Sequence, residues 1–365
     1  MADDAAGKTP RLAGEPFVSV VVPVRDGARH LARCLDALVA SAYAHFEIVV
    51  VDDASSDSSA EIAGACGARI LRLAMKSGPA AARNVGARGA RGDLLLFVDA
   101  DVEVRRDTLA RLAVHFAADP AVAAVFGSYD DDPSEPNFAS QFKNLFHHFT
   151  HQRSARRAST FWAGCGAVRR EVFLAAGGFD ARRYARPSVE DIELGYRLRR
   201  AGREIVLDRD VQVKHLKRWT LLSLLRADIR DRAVPWSRLI VEEGGMINDL
   251  NLRVADRAGA ALVCLAALAL AVAVLSRALS AAPSAPFAAA SLVLITFAVV
   301  LNFDLYRFFF RRRGARFAVA AAAMHLLYFL YSAATFTICS LAHCLRGGNA
   351  LLPRAKEMFT PLEED

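Results

Sequence analysis

The sequence predicts an α/β domain built on a mostly parallel sheet, followed by interfacial helices and about three transmembrane helices. Three observations lead there. Apolar β-branched runs alternate with helical periodicities through residues 17–104, and acidic residues close several of those runs. The apolar excess of a chain that is 54% hydrophobic gathers in its last third.

The first run, "FVSVVVPV", precedes "ARHLARCLDALVAS", which is apolar at helical spacing. "HFEIVVVDDASSD" and "SSAEIAGACGA" repeat the pattern, and "RILRLA" leads through "MKSGPAAARNVGARGARG" to a fourth strand, "DLLLFVDADVEV". Continuous apolar strands joined by crossover helices form a parallel sheet covered on both faces.

Such sheets bind ligands beyond the carboxyl ends of their strands. Arg25 and Asp26 follow the first strand, Asp52 and Asp53 the second, and Asp99 and Asp101 the fourth. Acids gathered at one rim repel each other unless a cation or ligand donors offset them. If the fourth strand continued, Asp99 and Asp101 would share a face, and a turn could equally converge them on one ion. Magnesium or manganese takes one or two such carboxylates and completes its shell with water and phosphate oxygens. A solvated strand end is the plain alternative for an isolated D-x-D; its position opposite Asp53 favours a site.

Further along, the small residues of "WAGCGA" would let a sugar ring approach the backbone. Glu190, Asp191 and Glu193 open the helix "DIELGYRLRRAG", whose N-terminal dipole favours their ionised form. Acids also decorate helix starts for no catalytic reason. Gly78 and Pro79 mark a loop before "AAARNVGARGA", which has no phosphate-loop motif, and Arg83 is the residue to follow there. His215 could contact a metal or diphosphate, Trp219 could stack on a sugar, and the Leu, Trp and Arg content up to Arg238 suits helices at a bilayer interface.

Residues 258–276, 287–303 and 317–345 are each long enough to cross about 30 Å of hydrocarbon as a helix. Five arginines lie in "DLYRFFFRRRGARF", against Arg277 alone in the preceding connection, so residues 304–316 and the N-terminal region are expected on the cytoplasmic side. The third segment is either one tilted helix or a broken pair. No secretory signal is visible at the N-terminus, and six cysteines without C-x-x-C spacing point to reduced thiols. A net charge of +7 without an aromatic-interleaved basic patch gives no reason to expect nucleic acid.

The ordered motifs "VSVVVPVRD", "EIVVVDDASSDSS", "GPAAARNVGA", "LLLFVDADVEV", "GCGAVRREVFLAAGGFD" and "VEDIELGYRLRRAG" resemble those of family 2, GT-A type glycosyltransferases over roughly residues 16–235. The resemblance implies a nucleotide-diphospho sugar donor, UDP- or GDP-linked, held by Pro23, Val24, Asp26, Asp53, Arg83, Asp99, Ala100 and Asp101. Asp26 and Asp53 would meet ribose and base, Arg83 would lie along the nucleotide, and Asp99 and Asp101, with His215, would hold Mn2+ or Mg2+. Trp162, Gly164, Glu190, Arg218 and Trp219 would face the sugar and acceptor, with Asp191 as general base of an inverting transfer.

Two departures stand out. "PVRD" replaces the aromatic and Asn that many relatives carry after the proline. His215 replaces the Gln of the Q-x-x-R-W motif that Arg218 and Trp219 otherwise match, which favours transfer of a single sugar over polymer synthesis. The expected organisation is a disordered N-terminus over 1–15, a GT-A domain over 16–235, interfacial or linker helices over 236–257, a transmembrane region over 258–345 and a tail over 346–365. The leading reading is a metal-dependent transferase of the cytoplasmic membrane acting on a polyprenyl-phosphate or other lipid-linked acceptor. A haloacid-dehalogenase-type phosphatase, which carries its D-x-D on the first strand, and a catalytically silent scaffold are the alternatives.

Overall fold

A computed structural model describes residues 15–279 and 283–346; most of the expected N-terminal segment 1–15 and of the tail 346–365 lies outside them. The chain divides into two compact units, one through Thr220 and one from Leu221.

In the first unit the order is β1 (Val18–Val24), α1 (Ala28–Val39), β2 (Phe46–Asp52), α2 (Ser59–Ala65), β3 (Arg69–Arg72), α3 (Pro79–Gly89) and β4 (Leu94–Val98). Next come β5 (Val102–Glu103), α4 (Thr108–Ala118), β6 (Val122–Tyr129), α5 (Phe138–Arg153), β7 (Cys165–Arg169), α6 (Arg170–Ala175), α7 (Glu190–Arg200) and β8 (Glu204–His215). Together the strands form one eight-stranded sheet in the order β3-β2-β1-β4-β7-β6-β8-β5.

The first four strands pair in parallel, as the alternation of strand and helix requires. β7 then enters antiparallel between β4 and β6, and β8 returns to run parallel to β6. The sheet is therefore mixed on its second side, where the sequence periodicity is weaker. Side chains alternate between two cores. Val20, Val22, Leu94 and Leu96 pack against Leu31, Leu35 and Leu38 of α1, whereas Val21, Leu95 and Phe97 face Ala80, Ala82 and Ala87 of α3.

"DLLLFVDADVEV" is not one strand. It breaks after Val98 into a turn, in which the Val102 N–H donates to the Asp99 carbonyl at 3.0 Å, and resumes as β5. β5 pairs antiparallel with the end of β8, Val102 opposite His215. The D-x-D thus occupies the passage from the middle of the sheet to its far edge.

The second unit contains α8 (Leu221–Arg226), a π-helical stretch over Ala227–Ala233, α9 (Val234–Glu243), α10 (Val254–Leu279), α11 (Ala285–Leu301) and α12 (Phe303–Leu345). α12 is broken at Gly314, whose φ of 80° and ψ of 178° are not helical. Of the three expected spans, those within α10 and α12 lie in helices long and apolar enough to cross a membrane, while α11 is a shorter apolar helix of 17 residues.

α3 lies so close to the sheet that a Cβ on Gly86 would come within 2.4 Å of Val21 Cγ1 and 3.0 Å of Val51 Cγ2. Gly86→Val is expected to destabilise the domain by about 1–3 kcal/mol through overpacking, read as a lower melting temperature in detergent. Gly64→Ala, whose Cβ would meet Ile70 Cδ1 at 3.7 Å, serves as the control and leaves the melting temperature unchanged or raised.

Candidate active site

The rim of the sheet is laced by its own loops. Arg25 Nη1 donates to the Asp53 carbonyl at 2.9 Å, the Asp26 N–H donates to Ser55 Oγ at 3.0 Å, and Asp26 Oδ1 accepts from the Ser56 N–H at 2.8 Å and Oγ at 2.9 Å. The hydrogen bonds from Ser56 hold the Asp26 carboxyl below its ordinary pKa. Asp26 and Ala54 both adopt positive φ, 48° and 54°. Such left-handed backbone costs a non-glycine residue about 1–2 kcal/mol, and this hydrogen-bonded lacing is what holds it.

Asp53 is buried, and its two oxygens accept the Ser77 N–H at 2.6 Å and the Gly78 N–H at 2.9 Å. It therefore anchors the loop that opens α3. Pro23 and Val24 pair with Val51 and Asp52; the Val24 side chain is buried in the core, so its backbone is what it offers at the rim.

Arg83 is the hub of the site. The residue is 6% exposed, and its guanidinium reaches two acids from different elements, Asp99 Oδ1 at 2.6 Å from Nη2 and Glu190 Oε1 at 2.8 Å from Nη1. Burial opposes its charge, but Asp99, Glu190 and Asp191 together raise its pKa above the ordinary arginine value. Glu190, also buried, turns its other oxygen to the Ser188 N–H at 2.9 Å. Through Arg83, the strand end that bears the D-x-D is tied to the first turn of α7.

The glycine-rich turn before β7 joins the same constellation. The Asp99 N–H donates to the Gly164 carbonyl at 3.2 Å, and the Ala163 N–H donates to Asp191 Oδ2 at 3.1 Å. α7 can come this close because Gly195 has no side chain: a Cβ there would sit 2.5 Å from the Phe161 nitrogen. Gly164 is needed for the same reason, since its Cβ would meet the Trp162 indole at 2.5 Å. Trp162 stands edge-on to Tyr129 at 4.8 Å between ring centres, and Tyr129 stacks on His215 at 4.4 Å and 14°.

Asp101 pairs with His215, Oδ2 to Nε2 at 3.6 Å. Burial works against its charge, yet His215, Lys217 and His30 keep its carboxyl below the usual aspartate range. His215 is oriented from behind, with Nδ1 2.7 Å from Asn144 Oδ1. That oxygen can only accept, so Nδ1 carries a proton and Nε2 is the nitrogen presented to Asp101.

A histidine nitrogen and a carboxylate oxygen facing one point, with Asp99 two residues from Asp101, fit a divalent cation that draws its remaining ligands from phosphate and water. Among the described residues no group of three or more His, Cys, Asp and Glu could hold a metal ion on protein ligands alone.

Arg218 and Trp219 belong to a separate group. Trp219 receives Lys217 Nζ over its ring at 4.4 Å and is fixed by Ser140 and Asn137, while the exposed Arg218 lies 3.9 Å from Glu135. Ala100 is half-buried and packs on the core. Sequence reasoning missed Asn144, Tyr129 and the Ser77–Gly78 amides. The "SGP" turn was the one available signal for the last.

Residues 19–175 match the family model for glycosyl transferase family 2. The glycosyltransferase GlyG of Streptococcus pneumoniae is 32% identical over 127 residues, covering 33% of this chain and 42% of that protein. The pre-mycofactocin glycosyltransferase of Mycobacterium tuberculosis is 28% identical over 268 residues, covering 70% of this chain and 52% of that protein. The chain thus spans about half the length of these relatives. A mannosyltransferase from Pyrobaculum calidifontis, solved with GDP-Man and Mn2+, shares the fold with a TM-score of 0.51 at 19% identity, over 94% of this chain and 90% of that one. Residues 19–175 thus carry a match to the glycosyl transferase family 2 domain, the relatives that match the chain are named glycosyltransferases, and the fold is shared with the mannosyltransferase.

Proposed function

We propose that the chain moves one sugar from a UDP- or GDP-sugar to a hydroxyl of a lipid-linked acceptor, with inversion at the anomeric carbon. One observation carries this reading. Consecutive residues of one turn, Ala163 and Gly164, are hydrogen-bonded to Asp191 on one side and to Asp99 on the other. The Asp191 carboxylate and the backbone of Asp99 are thereby fixed to one buried turn, against which the Trp162 indole lies.

Asp101 and His215, with Asp99, would hold Mn2+ or Mg2+. When bound, the cation supplies Lewis-acid stabilisation of charge on the departing diphosphate. The loops carrying Asp26 and Asp53 would receive the nucleoside. Asp191 takes the acceptor hydroxyl's proton as its oxygen bonds to the sugar carbon and the bond to the nucleotide diphosphate breaks. The Ala163 N–H orients that carboxylate. Trp162 would face the sugar. Glu190, buried with both oxygens engaged by Arg83 and the Ser188 N–H, holds Arg83 instead of meeting the sugar as the sequence suggested. Trp219 with Arg218 would offer a stacking face and a cation farther out.

Membrane anchoring is supported by the apolar surface of the second unit. Leu265, Leu268, Val274, Leu292, Phe297 and Val300 are all more than half exposed on α10 and α11. A soluble protein rarely shows so much contiguous apolar surface. The arginines of residues 304–316 favour a cytoplasmic catalytic domain under the positive-inside rule, and cell-envelope glycan assembly would consume such a product.

Calorimetric titration of the detergent-solubilised protein with UDP and GDP, each with Mn2+ and with chelator, tests the donor side. Metal-dependent binding of one nucleotide, weakened at least tenfold in Asp101→Asn, is the expected outcome; binding of neither under any condition would refute the reading.

A double-mutant cycle tests the bridge. Arg83→Met alone leaves Glu190 buried without its cation and should cost about 3–5 kcal/mol. Adding Glu190→Gln should recover about 1 kcal/mol or more through their coupling, read from unfolding midpoints.

A further inference from the structure

The second half of α12 is long and apolar enough to cross a bilayer, yet its surroundings are those of a membrane surface. Tyr331 Oη donates to Asp228 Oδ2 at 2.9 Å, and Cys339 Sγ lies 4.0 Å from the Val234 carbonyl. Asp228 belongs to the π-helical stretch "ADIRDRA", which precedes α10 and carries two acids and two arginines in seven residues. A segment so charged does not sit at hydrocarbon depth, and α12 runs beside it.

α12 meets the other two apolar helices at one end of their hairpin. Phe329 packs with Val263 and Ala298, and Gly259 leaves room for the Phe329 ring beside Asn302. These contacts lie near the start of α10 and the end of α11.

The surface of α12 has the matching pattern. Leu327, Leu330, Ile338, Leu341 and Leu345 are 41%, 37%, 66%, 59% and 88% exposed and fall on a single stripe at helical spacing. Tyr328, Tyr331, Thr335 and Cys339 form a second stripe; its Tyr331 and Cys339 reach the π-helical stretch and the start of α9. Beside it, a cavity of about 410 Å³ is lined by Arg238 and Glu242 of α9 with His343 and Arg346 at the end of α12. One lipid face and one protein face suit spanning and interfacial helices alike; the charged stretch beside Tyr331 and the arginines at the cavity are what point to the headgroup layer.

We infer that residues 315–345 lie in the membrane interface and do not cross it. The occupant of the exposed stripe is the lipid surface itself, with Arg238 and Arg346 placed for lipid phosphates. The α10–α11 hairpin is then the spanning element of the described chain, and residue 346 lies on the side from which α10 enters. This rests on the membrane-anchored reading above.

Thiol labelling in carbonate-washed, oriented vesicles tests it with a membrane-impermeant maleimide. One variant keeps Cys344 as its reactive thiol (Cys66→Ser, Cys264→Ala, Cys339→Ala). A second keeps Cys66 instead (Cys264→Ala, Cys339→Ala, Cys344→Ser), and a third lacks both and carries Ser284→Cys between α10 and α11. Cys344 and Cys66 should label from one side and Ser284→Cys from the other. Labelling of Cys344 from the side of Ser284→Cys would show that α12 spans and overturn the inference. Labelling of all three from one side would overturn the hairpin. Loss of the protein in the carbonate wash would instead overturn anchoring, and the inference with it.

Discussion

A single buried guanidinium sets the geometry on which the rest of the candidate site depends. Arg83 satisfies one acid at the end of β4 and another at the start of α7, elements nearly a hundred residues apart in sequence. Neither acid could be so close to the other without it. Two carboxylates in a shared low-dielectric site repel each other, and the partly exposed Asp99 would turn toward solvent. With the cation between them, the strand end and the helix start are drawn to the same place, and the turn carrying Ala163 and Gly164 fits the gap. The glycines complete the constraint, since a Cβ on Gly164 or Gly195 would force the turn or α7 away.

A second layer of the same logic surrounds Asp101. Its partner His215 is aimed by Asn144 from α5 and flattened against Tyr129 from β6. The D-x-D is thus supported at each position by a different part of the chain: Asp99 through its side chain to α3 and its backbone to the Gly164 turn, Asp101 through His215 to β8. A site assembled from so many rigid elements is preorganised, and preorganised charge is most effective where charge develops during reaction.

Much of this was legible in the sequence. The β-branched runs located β1 to β4, and the rule that ligands gather at strand carboxyl ends singled out Asp26, Asp53, Asp99 and Asp101 before any contact was known. Asp191 stood out as an acid at a helix start. What the sequence could not show was pairing over long separations. Nothing local says that Val102 lies opposite His215, that Arg83 bridges Asp99 and Glu190, or that Asp53 spends both oxygens on the amides of residues 77 and 78. The break in "VDADVEV" was also hidden, because a turn between two apolar stretches looks like one strand when the residue inside it is alanine. In the apolar third of the chain, length and composition identified helices but not their neighbours, since nothing local says that Tyr331 of the apolar α12 meets Asp228 of a charged stretch.

The central claim is that Asp191, held by the Ala163 amide, removes the acceptor's proton while the D-x-D side binds the donor. Its most direct test is turnover and nucleotide affinity measured side by side in wild type and Asp191→Asn. The account predicts nucleotide affinity within about twofold and turnover reduced by about 10²–10⁴, the usual contribution of a general base. Turnover close to wild type would contradict it.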